Sequence, residues 1–80
     1  MKKRIGVIGL VADPSMETLS RVRLVLSDHA ALIIGKMEIA DVIRDVTVMA
    51  LAIEATTDEV GALTGKLGNL PDVRVKTSLI

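Results

Sequence analysis

Four segments of the chain carry the hydrophobic pattern of β-strands, and these are residues 4–12, 31–39, 46–55 and 73–79. The first and third are apolar at odd and even positions alike, which is typical of central strands that are buried on both faces. A polar connection over residues 40–45 joins the second strand to the third. In the fourth segment Arg74 and Lys76 alternate with valines, so we expect a less buried strand at the edge of the sheet.

The segment between the first two strands predicts an amphipathic helix. Asp13 and Pro14 supply an N-cap and a first-turn proline, so we expect the helix to begin there and to end near residues 28–29. Glu17 and Arg21 are four residues apart and predict an ion pair on its polar side. The apolar residues recur at helical spacing and predict one buried stripe, formed by Met16, Leu19, Val22 and Leu26.

A capping box predicts the start of a second helix. Thr56 is followed three residues later by Glu59, so each side chain can accept a hydrogen bond from the backbone N–H of the other residue. We therefore expect residues 57–68 to be helical. One face of this helix is apolar and carries Val60, Leu63, Leu67 and Leu70.

The order of these elements, with short connections, predicts an α+β fold of the ferredoxin-like β-α-β-β-α-β type. In this fold a four-stranded antiparallel sheet carries two helices on one face, and we expect residues 1–80 to form a single such domain. Two helices cannot shield the second face of a sheet whose central strands are apolar on both faces. The pattern therefore predicts a homo-oligomer, a dimer or a tetramer, in which this face packs against another copy.

Composition and charge argue against direct contact with nucleic acid. Half of the 80 residues are hydrophobic, but Phe, Trp and Tyr are absent, whereas binders of single-stranded nucleic acid stack bases on aromatic rings. Ten Lys and Arg are balanced by ten Asp and Glu, where nucleic-acid-binding domains are usually basic. The one basic run, residues 2–4, is long enough to neutralise few phosphates.

The absence of cysteine excludes disulfides, thiolate catalysis and cysteine-ligated metals. His29 is the single histidine, and a lone histidine at a helix end is typical of a dipole partner or a core-edge residue. We expect no metal and no cofactor. The apolar run over residues 5–12 is too short for a signal peptide or a membrane span, so we expect a cytoplasmic protein.

Residues 61–68, GALTGKLG, have some features of a phosphate-binding loop. A Walker A loop has four residues between its first Gly and its Gly-Lys pair, and then a Ser or Thr, whereas here three residues intervene and Leu67 follows. We therefore expect this segment to be helical. Its glycines then share one flank of the helix, which predicts close approach of a neighbouring helix, a C-terminal cap at Gly68, or close approach of a ligand to bare backbone.

Residues 58–68, followed by residues 73–77, closely resemble the C-terminal signature of a small bacterial family of iron-only hydrogenase system regulators. That family has nearly this length and begins with a strand of the type seen in residues 4–9, so the resemblance covers essentially the whole chain. The resemblance implies a regulator, which we expect to act on transcription. It also implies a domain akin to ACT domains and to the C-terminal domain of the nickel-responsive repressor. Both of those relatives oligomerise and sense a small ligand.

The functional residues of those relatives are only partly present. The repressor's nickel site needs several histidines and a cysteine, and ACT domains have a glycine in the loop after the first strand, which here is residues 12–16 without glycine. If an effector binds, we expect it at the N-terminus of the first helix or along the glycine flank of the second. The candidate ligand-binding residues are Asp13, Pro14, Ser15, Gly61, Gly65, Lys66 and Gly68.

Two other classes of function are compared with this one. Acylphosphatase shares the ferredoxin-like topology, but its glycine-rich loop with an arginine has no counterpart in residues 12–16, and we predict no catalytic residues. A purely structural oligomerisation or protein-interaction domain, without a ligand, stays open as the alternative. The partners expected from the sequence are therefore further copies of the chain, and a small-molecule effector or a partner protein.

Overall fold

A four-stranded antiparallel sheet organises the computed structural model, which describes residues 2–80, and two helices cover one face of this sheet. The ferredoxin-like α+β fold expected from the sequence is confirmed. The elements in chain order are β1 (Arg4–Ala12), α1 (Met16–Asp28), a short 3-10 turn (Ala30–Leu32), β2 (Ile33–Asp41), β3 (Val46–Ala55), α2 (Thr57–Gly68) and β4 (Val73–Leu79).

The strands lie in the order β2-β3-β1-β4, and every neighbouring pair is antiparallel. The two segments that are apolar on both faces are therefore the central strands, and the strand with alternating charges is at an edge, as predicted. Across the middle of the sheet the register aligns Met37, Ala50, Gly9 and Lys76 in one row, one residue from each strand.

The core lies between the sheet and the helices, because alternate residues of each strand point to opposite faces. Ile8 and Leu10 of β1 are almost fully buried here, together with Met49, Leu51 and Ile53 of β3. We call this side of the sheet the covered face. The helices contribute Val22 and Leu26 from α1, and Val60, Leu63 and Leu67 from α2.

Helix α2 has the predicted bounds and the predicted cap. The backbone N–H of Thr56 donates to Glu59 Oε1 at 2.8 Å, and the N–H of Glu59 donates to Thr56 Oγ1 at 3.2 Å. These two bonds satisfy N–H groups that have no partner inside the helix. Its apolar stripe is buried as expected, with Leu70 half-buried just beyond the helix end.

Helix α1 begins later than predicted, because Ser15 and not Asp13 is its N-cap. Ser15 has an extended backbone, and its Oγ accepts a hydrogen bond from the N–H of Thr18 at 3.2 Å. Asp13 instead accepts from the N–H of Ser15 at 3.0 Å and holds the loop before the helix. Met16 is therefore the first helical residue and is 86% exposed, so its predicted place in the buried stripe is wrong, and Thr18 is buried there instead.

Strand β2 is displaced by two residues from its predicted bounds. The 3-10 turn takes up the first part of the predicted segment, and the register shifts between Ile33 and Gly35. The strand then runs on to Asp41, whose carboxylate accepts from the backbone N–H of Arg44 at 3.0 Å and from its Nη1 at 2.7 Å. This bonding closes the hairpin turn.

Within residues 2–80, neither helix is long and apolar enough to cross a membrane.

Candidate functional site

The N-terminus of α1 is the first predicted effector location, and its side chains are already bonded to their own turn. The Asp13 carboxylate accepts from Ser15 N–H, and the Ser15 hydroxyl accepts from Thr18 N–H and donates to Thr18 Oγ1 at 3.0 Å. Asp13 and Ser15 are exposed and Pro14 is half-buried. With Glu17 also in the first turn, negative charge already compensates the positive end of the helix dipole.

Two further aspartates lie at the same end of the sheet and were not singled out in the sequence. Asp45, in the β2–β3 turn, and Asp72, in the α2–β4 turn, have positive φ angles of 56° and 61°, a conformation that Asp tolerates better than most residues. The Asp72 carbonyl accepts from the N–H of Asp13 at 3.1 Å. With Arg74, these three aspartates line a shallow depression of about 410 Å³.

The chemistry of this depression is that of an acidic rim with one cation beside it. Asp13, Asp45 and Asp72 are all exposed. Among residues 2–80 no group of three or more His, Asp or Glu side chains is placed to hold a metal ion. In the sequence, Asp45 and Asp72 look like any solvated turn residue. Their place beside Asp13 could not be predicted, because only the pairing of the strands brings the three turns together.

The glycine flank of α2 is the second predicted location, and the structure places it in a helix and not in a loop. A Cβ atom built on Gly61 or Gly65 would meet no atom within 4 Å among the described residues, apart from the helix's own neighbouring backbone. At Gly68 it would lie 3.5 Å from Val75 Cγ1, an ordinary contact. Close approach of a neighbouring helix within the chain was therefore a wrong explanation for Gly61 and Gly65.

The C-terminal cap proposed for Gly68 was also wrong. Gly68 is the last helical residue, and Asn69 follows as the C-cap with φ −84°, so the left-handed conformation that favours glycine is not used here. Gly61, Gly65 and Lys66 are exposed. The flank thus presents bare helical backbone to solvent, and the remaining interpretation, the approach of a ligand to that backbone, stays a prediction.

The seven predicted residues do not form one cluster. Ala12, the last residue of β1, pairs with Val73, the first residue of β4, so residues 13–15 and the C-terminal end of α2 lie at the same end of the sheet. Gly61 lies about 10 Å further along α2 from Gly68, at 1.5 Å per residue. Any single small ligand would therefore contact part of this set.

The side of the sheet away from the helices, which we call the open face, is apolar over most of its area. Its valines and isoleucines alternate with the core residues, and several large side chains are about half exposed: Ile5 44%, Val7 45%, Ile39 47% and Met37 55%. Its centre is lined by small residues, since Gly9 lies opposite Ala50. Its β4 side carries Arg74 and Lys76, both exposed.

Two shallow depressions lie on the open face, one on each side of its centre. One, of about 350 Å³, has Val7, Met37 and Ala52 in its lining, and the other, of about 410 Å³, has Val11, Val48 and Lys76. Both are lined mainly by apolar atoms and are open to solvent. They suit the side chains of a partner surface better than an enclosed small molecule.

Solved structures of other proteins share this fold over nearly the whole chain. The uncharacterized protein TM1266 from Thermotoga maritima superimposes with a TM-score of 0.96 at 25% identity, covering 99% of each chain. The ACT domain from GTP pyrophosphokinase of Chlorobium tepidum gives 0.82 at 19% identity, covering 96% of this chain and 100% of that one. The C-terminal domain of MgtC from Mycobacterium tuberculosis gives 0.73 at 14%, covering 96% and 87%.

The two more distant likenesses show the fold alone, which is that of ACT domains. No curated protein matches the sequence. A family model does match, over residues 4–77, and it describes the family as "TM1266-like: Iron-only hydrogenase system regulator, putative". The match covers nearly all of the chain and includes both segments on which the resemblance was recognised, so the protein belongs to the TM1266-like family of iron-only hydrogenase system regulators.

Proposed function

We propose that this protein is a non-enzymatic regulatory module of an iron-only hydrogenase system that works as a homo-oligomer and responds to a small effector or a partner protein. The observation that carries the proposal is the open face. It leaves Val7 of β1 and Met37 and Ile39 of β2 about half exposed, whereas the other face of the two central strands is buried against the helices. Contiguous apolar surface of this kind marks an interaction site on soluble domains.

Size supports self-association. A chain of 80 residues buries a smaller fraction of its surface than a larger domain does, and its core has a thin margin of stability. Packing the open face of one copy against that of another would remove apolar surface of both copies from water, at roughly 25 cal/mol per Å². The same surface can also serve regulation, since a partner protein can distinguish the associated form of the chain from the free form.

Chemistry supports a role without catalysis. The two arginines on α1 that could bind a phosphate are engaged at the surface, Arg21 with Glu17 and Arg23 with Glu38, each at 2.7 Å. The carboxylates of Asp13 and Glu59 serve turns and caps. Regulation is also what the family's description states. We place the effector, as a proposal, at the N-terminus of α1 or along the glycine flank of α2.

Sedimentation equilibrium at micromolar concentration tests the oligomer. We expect a mass above that of one chain for the native protein, and the mass of one chain for Val7→Lys, because the added ammonium group would be buried in the contact. Leu24→Lys is the matched control. Leu24 is an apolar residue of α1 that is 64% exposed, so its replacement should leave the oligomer intact. A strictly monomeric native protein would contradict the proposal.

A thermal-shift screen of amino acids, nucleotides and divalent metals tests the effector. A ligand at 100 times its dissociation constant adds about 2.7 kcal/mol to the native state, which is several degrees for a domain of this size. The double variant Gly61→Leu, Gly65→Leu then tests the location. If a ligand binds along the glycine flank, the thermal shift that it causes should be smaller in this variant. An unchanged effect would leave the N-terminus of α1. Absence of a shift across the panel would favour the alternative, an assembly or protein-interaction domain without a ligand.

A further inference from the structure

The open face is asymmetric across its strands. On the β4 side Arg74 and Lys76 project from alternate positions, and neither takes part in the ion pairs formed among residues 2–80. On the β2 side Met37 and Ile39 are about half exposed. Asp41 lies on the same face of β2, two residues beyond Ile39. The two edges of one face thus differ in charge and in polarity.

Dimer contacts are usually symmetric, and sheets that pack face to face commonly keep their strand directions within about 30° of each other. With the strands aligned in this way, two copies have two ways to be related by a two-fold axis between the sheets. An axis parallel to the strands places β2 of each copy over β4 of the other. An axis perpendicular to the strands places β4 over β4 and β2 over β2. The asymmetry of the open face decides between these arrangements.

With the perpendicular axis, Arg74 and Lys76 of one copy would face the same two cations of the other. Like charges brought together in a contact oppose association, and specific interfaces avoid them. With the parallel axis, the rows in register place Lys76 opposite the other copy's Met37, and Arg74 opposite its Ile39. The methylene stems of the two cations can then cover apolar surface.

The glycine at the centre of the open face supports a second copy as the occupant. Gly6 is explained by the fold, because a Cβ there would lie 2.7 Å from Leu79 Cδ2 and 3.0 Å from the Ser78 carbonyl oxygen. Gly9 is not, since a Cβ there would meet no described atom within 4 Å. A glycine inside a strand weakens it and often marks the close approach of another backbone. Ala50, its small neighbour in the row, keeps the same area low.

We infer that two copies pack open face to open face about a two-fold axis parallel to the strands, which passes between Gly9 and Ala50 and sets β2 of each copy over β4 of the other. This inference rests on the proposed function in that it assumes self-association through the open face. It adds the arrangement of the contact and the features that select it, the cations of β4 and the apolar edge of β2.

Cross-linking of single-cysteine variants tests the axis directly, because the native chain contains no cysteine. The variants are Met37→Cys and Lys76→Cys, treated with a bis-maleimide that reaches about 10 Å, the spacing of stacked sheets. With the parallel axis, the same position in the two copies lies over opposite edges of the sheet, three strand spacings or about 14 Å apart, beyond that reach. We expect a covalent dimer when the two variants are mixed and allowed to exchange, and little from either variant alone.

The other outcomes separate the inference from the function on which it rests. Covalent dimers of Met37→Cys alone and of Lys76→Cys alone would indicate the perpendicular axis and overturn the inference, while association through the open face would stand. An oligomeric mass without any cross-link would place the contact on another surface and overturn it as well. A monomeric mass for the native chain and no cross-link would contradict both the inference and the proposed oligomer.

A second variant tests the close approach at the centre. The isolated fold has room for a side chain at position 9, and valine favours strands, so Gly9→Val should fold at least as well as the native chain. In the dimer this side chain would overpack the contact and weaken self-association by roughly tenfold or more. Native-like association of a folded Gly9→Val variant would overturn the close approach of the two sheets.

Discussion

The two faces of the sheet have similar hydrophobic content but opposite surroundings. Along β1, Ile8 is fully buried against the helices, and its neighbour Val7 is 45% exposed on the other side. On the covered face the two central strands are buried within one chain, because α1 and α2 pack against them. The open face has equally apolar central strands and no cover among the described residues. A strand that is apolar on both sides thus needs burial on both sides, and one chain buries only one of them.

The faces also differ at their edges. On the covered side Arg23 of α1 reaches the edge strand and bonds Glu38 of β2 at 2.7 Å. On the open side the cations of β4 have no such partner within residues 2–80. The covered face therefore contributes mainly to stability, and the open face is where we expect specificity of association.

The largest expected effect contrasts neighbouring residues of β1 on the two faces. Ile8→Ala removes core contacts and leaves a cavity, so the free energy of unfolding should fall by about 2–5 kcal/mol. Val7→Ala should lower it by less than about 1 kcal/mol in the monomer, and should instead weaken association. Urea unfolding at low protein concentration measures both. Equal losses in stability would remove the distinction between the faces.

The next effect contrasts the two glycines of β1. Gly6→Ala, on the covered side, pushes against Leu79 and the Ser78 carbonyl and should destabilise the fold by about 1–3 kcal/mol. Gly9→Ala, on the open face, should be neutral or should stabilise the monomer by up to about 1 kcal/mol, since glycine is unfavourable inside a strand. Equilibrium unfolding of the two variants gives the comparison. A loss at Gly9 as large as that at Gly6 would mean that the fold itself requires the glycine.

A smaller effect concerns the helix that covers the sheet. Thr56→Ala removes the hydroxyl half of the capping box and should destabilise the protein by about 1 kcal/mol, which lowers the melting temperature by roughly 4–8 °C. Thr57→Ala is the control, because Thr57 is exposed and follows the cap. Similar melting temperatures of the two variants would show that the cap contributes little to holding α2 on the sheet.

The smallest effect is a dependence on pH that involves one carboxylate on each side of the sheet. The Thr56 backbone N–H holds the pKa of Glu59 below its usual range, with a smaller contribution from the Thr56 hydroxyl. The Arg44 backbone N–H, followed by its guanidinium, lowers the pKa of Asp41 in the hairpin turn. A pKa that is lower in the folded state stabilises the fold above the unfolded-state pKa and loses this effect as the pH falls through the folded-state pKa.

Stability should therefore decrease on the acid side, in the range where these two carboxylates take up protons. Glu59→Gln should flatten part of that decrease, and Asp41→Asn should flatten another part. NMR titration of the side-chain carboxyl carbons gives the two pKa values, and unfolding at a series of pH values gives the slope. Titration of either carboxyl group at or above its usual pKa would contradict its hydrogen bonding in the structure.

Much of the fold could be predicted because its signals are local. The capping box at Thr56 and Glu59 is read from a spacing of three residues, and α2 has the expected bounds. The start of α1 was predicted two residues early, because Asp13, Pro14 and Ser15 all carry N-terminal signals and only the folded loop shows which side chain bonds Thr18. Of the three aspartates that line the depression, the sequence singled out Asp13 alone, since Asp45 and Asp72 come close to it only through the pairing of distant strands.

The sequence by itself determined the periodicities, the caps, the number and order of the elements, and the need to bury two faces of the sheet. Those properties depend on neighbours a few residues apart. Only the tertiary structure decided that a side chain at Gly6 would press on Leu79 and the Ser78 carbonyl, and that one at Gly9 would meet no described atom. It also decided that Arg74 and Lys76 border an uncovered apolar surface. These depend on register, because pairing of strands distant in the chain sets which side chains become neighbours.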